Sequence, residues 1–242
     1  MLRNSFFMRR ILFINPYIVI HVGADKGQDR GEYSKLGVKR IIWLEADPEN
    51  VKYLNETYPN DQIISGVVSN EDTSKKPFYL MKNSALNSAI PPTNINSPDF
   101  GKIIFVDSHK LDSVIKIHTD KKTILVIDVQ GAEEQVIDGA YLMLSKTKFV
   151  VIEIAQYNMG YIYQPSFDNI VKRLATFALK PSIDRISHDE SYRDVLFVKG
   201  SWVYLLWIKW SDKVFDELMK VRHFMKKKHF PKKHYYCEIC GK

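Results

Sequence analysis

The chain has 242 residues, 45% hydrophobic and 12% aromatic, which suffices for one sizeable α/β domain with an appendage and argues against global disorder. Its two cysteines both fall in the last six residues, which excludes a disulfide framework, and no segment approaches the roughly 20 apolar residues of a membrane-spanning helix. The net charge of +7 is concentrated: residues 219–242 hold eight Lys or Arg against Glu238 alone, and the remainder is balanced, so the basicity belongs to a tail and not to the body.

In chain order, residues 1–16 read as an N-terminal extension. Arg3, Arg9 and Arg10 surround Ile11-Leu12-Phe13-Ile14, a run too short for a signal peptide and followed by no small-residue cleavage site. Residues 19–22 form an apolar β-type run that stops at Gly23-Ala24-Asp25-Lys26-Gly27. A helix over 28–36 is stopped by Gly37, and a second strand covers 41–45. Pro48 opens a helix that runs through Val51 and Leu54 toward Tyr58, with Pro59 closing it. A third strand is predicted at 62–68, then shorter strands at 78–81 and 102–106 around a polar loop, 83–100. Residues 111–117 read as a short helix with Asp107 or Ser108 as its cap.

The second half repeats the alternation. Residues 123–128 are continuously apolar up to Asp128, as in a strand buried on both faces, and a helix is predicted over 133–144. Another buried strand at 149–154 precedes a helix over 167–177 with Ile170, Val171 and Leu174 on one face. Strands at 180–183 and 195–198 finish the domain. Strand–helix alternation implies a parallel, doubly wound sheet, and the late strands add an antiparallel edge.

The first turn carries the strongest chemical signal. An apolar strand, a glycine-bearing turn, a helix start and an acid 22 residues after Gly23, at Glu45, form the order a nucleotide-type cofactor requires. Glycine lets the backbone approach the ligand, the helix start offers free N–H groups, and the acid holds ribose hydroxyls. The turn lacks the middle glycine of a dinucleotide fingerprint and carries Asp25, which repels a pyrophosphate and attracts the amino group of S-adenosylmethionine. A methyl donor is therefore favoured over NAD.

The run Asp128-Val129-Gln130-Gly131-Ala132-Glu133, with Asp138-Gly139-Ala140 after it, resembles the signature of FkbM-type S-adenosylmethionine-dependent methyltransferases. His21-Val22-Gly23-Ala24 with Gln28 and Tyr33 is similar to that family's first motif, and Trp43-Leu44-Glu45-Ala46-Asp47-Pro48 to its second. Val151-Ile152-Glu153-Ile154 resembles the strand closing its domain, and Asp107 to Leu111-Asp112 the segment before its central strand. The resemblance covers residues 17–199, leaving 200–242 as an aromatic and basic tail. It implies a Rossmann-like, mostly parallel seven-stranded sheet with helices on both faces. It further implies S-adenosylmethionine as cofactor and methylation of a sugar hydroxyl in a glycan or glycolipid. The chain departs from the family at His21, where many members carry Asp, and at Asp25, where many carry Asn.

The cofactor-binding set expected here is His21, Gly23, Ala24, Asp25, Gly27, Gln28, Glu45, Ala46, Asp47, Asn70 and Asp128. For catalysis the candidates are Asp128, Glu153 and Glu133. Asp128, at the carboxyl end of a buried strand, serves as base or orients a hydroxyl, or else caps the next helix. Glu133 suits a first helical turn equally well, and Glu153 needs a partner if it is buried. Asp128 and Glu153 together suit a metal or a sugar diol without establishing either. His21 is a base or a hydrogen-bonded core histidine. Residues 83–88 line a sugar site or form an ordinary surface loop. No Pro-Pro-Tyr motif of the kind found in methyltransferases acting on nucleic-acid bases follows Asp128, which favours oxygen methylation.

The tail adds alternatives. Its aromatic run 202–210 and the lysines after it suit a membrane-surface helix, a nucleic-acid patch, or a docked helix with a solvated end. Cys237 and Cys240 with His234 form a zinc candidate of unusual spacing. Two rival functions remain open at this level: an RNA methyltransferase recruited by the tail, and a non-catalytic binding module. The composition fits a cytoplasmic protein, with the tail offering peripheral attachment to a membrane surface.

Overall fold

The computed structural model describes residues 16–116, 122–156, 160–186 and 191–200. The chain divides into two units, Met1–Gly200 and Ser201–Lys242. The basic tail, the zinc candidates His234, Cys237 and Cys240, and nearly all of the N-terminal extension lie outside the described residues.

Seven strands form the main sheet: β1 (Ile18–Val22), β2 (Arg40–Glu45), β3 (Gln62–Ser65), β7 (Thr123–Ile127), β8 (Phe149–Ala155), β9 (Leu179–Ile186) and β10 (Tyr192–Lys199). Their order is β3-β2-β1-β7-β8-β10-β9, with the first five parallel and β10 antiparallel to both neighbours. The chain winds outward from β1 to β3 and then restarts at β7 on the other side. The crevice beyond the carboxyl ends of β1 and β7 is thus the switch point where doubly wound sheets bind ligands.

Helices cover both faces. On one face, Tyr33 of α1 (Arg30–Lys35) and Tyr58, which closes α2 (Pro48–Thr57), pack with His21 and Trp43. On the other, Ile20, Val22, Leu125 and Ile127 bury against Leu111 of α3 (Leu111–Val114) and Val136 of α4 (Glu133–Asp138). Leu144 of α5 (Tyr141–Lys146) and Ile170 of α6 (Phe167–Ala175) complete that side. β1, β2 and β7 read as continuous apolar runs because both their faces are covered. Among the described residues no helix is long and apolar enough to cross a membrane.

Several expectations are corrected. The strand predicted at 62–68 is two strands: Gly66, at φ +124°, turns the chain out of the main sheet, and β4 (Val67–Val68) joins a separate sheet. That second sheet, ordered β4-β6-β5, contains β5 (Thr73–Met81) and β6 (Phe100–His109), both longer than predicted. Asp107 and Ser108 therefore lie in β6 and cap nothing; Asp72 instead accepts from Lys110 N at 2.8 Å and Ser113 Oγ at 2.7 Å at the start of α3. The helix predicted over 133–144 is two helices, because the Asp112 carboxylate reaches across to accept from Leu142 N at 2.7 Å and Met143 N at 2.9 Å. It thereby starts α5 afresh.

Candidate active site

A cavity of about 450 Å³ opens at the switch point, within the range of small-molecule sites. Its floor is the end of β1. There Gly23, at φ +80°, approaches the neighbouring strand so closely that a Cβ would stand 1.7 Å from the carbonyl oxygen of Asp128. Only glycine permits both the backbone angle and the contact.

Glu45 ends β2 inside this floor and is 5% exposed. Its Oε1 accepts from Ala46 N at 2.9 Å and Asp47 N at 2.8 Å, and Oε2 accepts from Asp25 N at 2.7 Å. The first oxygen is therefore saturated, and one acceptor position remains on Oε2. Burial lifts the Glu45 carboxyl to about 7 against the opposing pull of those backbone donors.

Asp25 sits in the left-handed region at φ +45° and gathers neutral donors. Oδ1 accepts from Ser84 Oγ at 2.7 Å and Asn50 Nδ2 at 3.0 Å, while Gln28 Nε2 donates to Oδ2. Beneath them His21 is 3% exposed, its Nδ1 2.8 Å from the Tyr33 hydroxyl. Burial depresses its imidazole to about 4, so it is neutral at physiological pH. Its Nε2 is buried without a hydrogen-bond partner, and the residue lines the cavity.

The opposite wall carries the acids. Asp128 follows β7 and Glu153 lies in β8, adjacent in register because Ile127 pairs with Ile152. Their carboxyls sit side by side, and burial followed by mutual proximity raises Asp128 well above the ordinary carboxylate range, with Glu153 raised by burial. Gln130 Nε2 donates to both, at 2.8 Å to Asp128 Oδ1 and 3.0 Å to Glu153 Oε2. Asp128 does not cap α4, whose N-cap Ala132 offers no side chain. Among the described residues no group of three or more His, Cys, Asp or Glu could hold a metal ion.

The family model described as the methyltransferase FkbM domain matches residues 21–183. The chain belongs to the FkbM methyltransferase family. No curated protein matches its sequence. Among solved structures it is similar to a TehB-like SAM-dependent methyltransferase from Corynebacterium glutamicum: 13% identity, 82% of this chain and 90% of that one covered, TM-score 0.43. It is also similar to magnesium protoporphyrin IX methyltransferase from Synechocystis PCC 6803, solved with bound SAH: 9% identity, 81% of each chain covered, TM-score 0.46. A third is 1,6-didemethyltoxoflavin-N1-methyltransferase from Burkholderia thailandensis, at 10% identity, covering 80% of this chain and 78% of that one with a TM-score of 0.43.

In this FkbM-family chain the cavity brings together His21, Gly23, Ala24, Asp25, Gln28, Glu45, Ala46, Asp128 and Glu153 from the sequence-derived set. Four others stand back from it. Gly27 packs toward Tyr58 and Leu54. Asp47 caps α2 through Glu49 N and accepts from Asn87 Nδ2 at 3.0 Å. Glu133 turns to accept from Gly131 N at 2.9 Å, with burial lifting its carboxyl to about 7. Asn70 is exposed and its backbone passes Gly139, away from the cavity. The loop at 83–88 does line the wall, tied to Asp25 through Ser84 and to the Gln130 carbonyl through Ser88 Oγ at 2.8 Å. Sequence reasoning missed Asn50 and Tyr192, which no local pattern marks, and the side-chain role of Gln130 inside a motif already noticed.

Proposed function

We propose that the protein is an S-adenosylmethionine-dependent O-methyltransferase acting on a neutral hydroxyl, such as a sugar unit of a glycan or glycolipid presents. The observation that carries the reading is the charge of the cavity. Asp25, Glu45, Asp128 and Glu153 line it, and no Lys or Arg does among the described residues. Such a wall favours a cationic cofactor and a neutral acceptor and repels a phosphate-bearing one. It therefore disfavours RNA, whose recruitment rested on residues 219–242, outside the described part of the chain.

The residues present fit S-adenosylmethionine. The free position on Glu45 Oε2 suits one ribose hydroxyl, and the orphaned, neutral His21 Nε2 awaits a polar atom. Leu44, Val67, Val68 and Phe78 supply an apolar surface for a flat base. The Asp25 carboxylate offers attraction to an ammonium. When bound, the cofactor supplies an electrophilic methyl group on a sulfonium. The remaining work is positioning and proton removal. Asp128 and Glu153 stand on the wall where an acceptor hydroxyl has to be held and relieved of its proton.

Calorimetry of the full chain with S-adenosylhomocysteine, followed by labelled methyl transfer to neutral oligosaccharides, glycolipid vesicles and RNA, tests the reading. Binding is expected, weakened about tenfold or more in Glu45→Ala, which removes a charged acceptor, with label appearing on a neutral hydroxyl compound. No binding by the folded chain, or Glu45→Ala binding as wild type, points instead to a non-catalytic module. Label confined to RNA overturns the choice of acceptor.

A further inference from the structure

We propose that Gln130 and Tyr192 are positioning residues that hold Asp128 and Glu153 as one proton-sharing pair, and that this pair, not either acid alone, takes the proton of the acceptor hydroxyl. The inference deepens the O-methyltransferase reading and rests on it for the identity of the acceptor.

Four residues from separate parts of the fold converge here. Asp128 follows β7, Glu153 lies in β8, Tyr192 begins β10, and Gln130 occupies the turn leading to α4. The Gln130 amide has two N–H donors, and both are spent, one on each acid. Its oxygen accepts from the Tyr192 hydroxyl at 3.1 Å. That bond holds the amide with its N–H end toward the acids. Turned over, the amide would present its oxygen to two carboxyls and repel the charge. Gln130 is held for this task at φ +51°, a backbone angle side-chain-bearing residues rarely adopt. The Ser88 hydroxyl pins its carbonyl.

Two carboxyls held side by side by one amide group do not both ionise; the pair carries one proton and one negative charge. The ionisable groups around it reinforce this. Asp194 of β10 stands opposite Glu153 in register, Glu133 of α4 and Asp128 bear on each other, and Tyr33, Tyr161 and Tyr192 bring hydroxyls that carry no positive charge. Against them, the two Gln130 donors favour the charged form and keep the pair able to accept. During transfer the acceptor O–H bond breaks as its oxygen bonds the methyl carbon, and the carbon–sulfur electron pair stays on sulfur. The proton passes to the pair, which goes from one proton to two and from one negative charge to none, and later releases it to water.

An infrared pH titration of the full-length protein reads the pair without an acceptor. Difference spectra against Asp128→Asn separate it from Glu45 and Glu133. The protonated-carboxyl band at pH 7 is expected to lose one group's intensity in Asp128→Asn. In Gln130→Leu the pair's last ionisation should move up by about one pH unit, the size of one lost hydrogen bond to a charged group. Tyr192→Phe should move it in the same direction by less, and this variant keeps its ring should Gln130→Leu not fold. Undiminished band intensity in Asp128→Asn, or an unmoved midpoint in the folded positioning variants, overturns the proposal even if methyl transfer proceeds. The expected shifts without any hydroxyl methylation leave the pair standing and remove its role as base.

Discussion

Replacing Gly23 by alanine tests the close approach on which the site is built. The new Cβ would stand 1.7 Å from the Asp128 carbonyl oxygen, where ordinary contact begins at 3.4 Å, so one strand end has to retreat by more than 1.5 Å. Retreat breaks the bond from Asp128 N to Val22 O, now 2.9 Å, and displaces both the floor and the acid wall of the cavity. The positive φ costs alanine about 1 kcal/mol. The lost ladder bond and the forced displacement add on the order of 2 kcal/mol. The sum, about 3 kcal/mol, lowers the melting temperature by roughly 6–12 °C for a chain of this size. Gly37→Ala is the control: φ is +74°, yet nothing lies within 4 Å, so only the conformational cost of about 1 kcal/mol applies. Thermal unfolding followed by circular dichroism, with S-adenosylhomocysteine calorimetry below the transition, separates the two. Gly37→Ala should bind as wild type and Gly23→Ala should not. Equal melting temperatures for the two variants would refute the argument from close approach.

Two further outcomes concern the carboxyls of Glu133 and Asp112. Burial raises Glu133 from 4.5 to about 7, so the folded state binds its proton more tightly than the unfolded chain between those values. Its contribution to stability is full below about pH 4.5 and is lost as pH rises to 7, about 3 kcal/mol in all. Denaturant midpoints at pH 5 and pH 7.5 should therefore differ less in Glu133→Gln than in wild type; an identical pH dependence contradicts the assignment. Asp112→Ala leaves the first N–H groups of α5 without their carboxylate. It should cost about 1–2 kcal/mol by equilibrium unfolding, whereas Asp112→Asn should retain part of that.

Much of the frame was legible in the sequence because it depends on local periodicity. β1, β2, β7 and β8 announce themselves as apolar runs, since a strand covered on both faces has no solvent side to mark. The Gly23 turn and Glu45 were legible through their spacing along one strand–helix–strand unit. Where prediction failed, a distant group intervened. Asp112 divides the helix expected over 133–144, and Asp72 holds the start of α3 through Lys110 N and Ser113 Oγ, where Asp107 or Ser108 was expected to act.

The candidate site divides in the same way. The sequence by itself determined the family motifs, the strand ends and the acids placed on them. Only the tertiary structure decided what those acids do: Glu45 spends most of its capacity on backbone N–H groups, Asp25 is ringed by Ser84, Asn50 and Gln28, and Asn70 lies outside the cavity. The Asp128–Glu153 pair and its two positioning residues exist because the β7–β8 register sets the acids side by side and the antiparallel return of β10 delivers Tyr192. Strand register is a relation between segments far apart in the chain, so a residue's neighbours across the sheet cannot be read from its neighbours along the sequence.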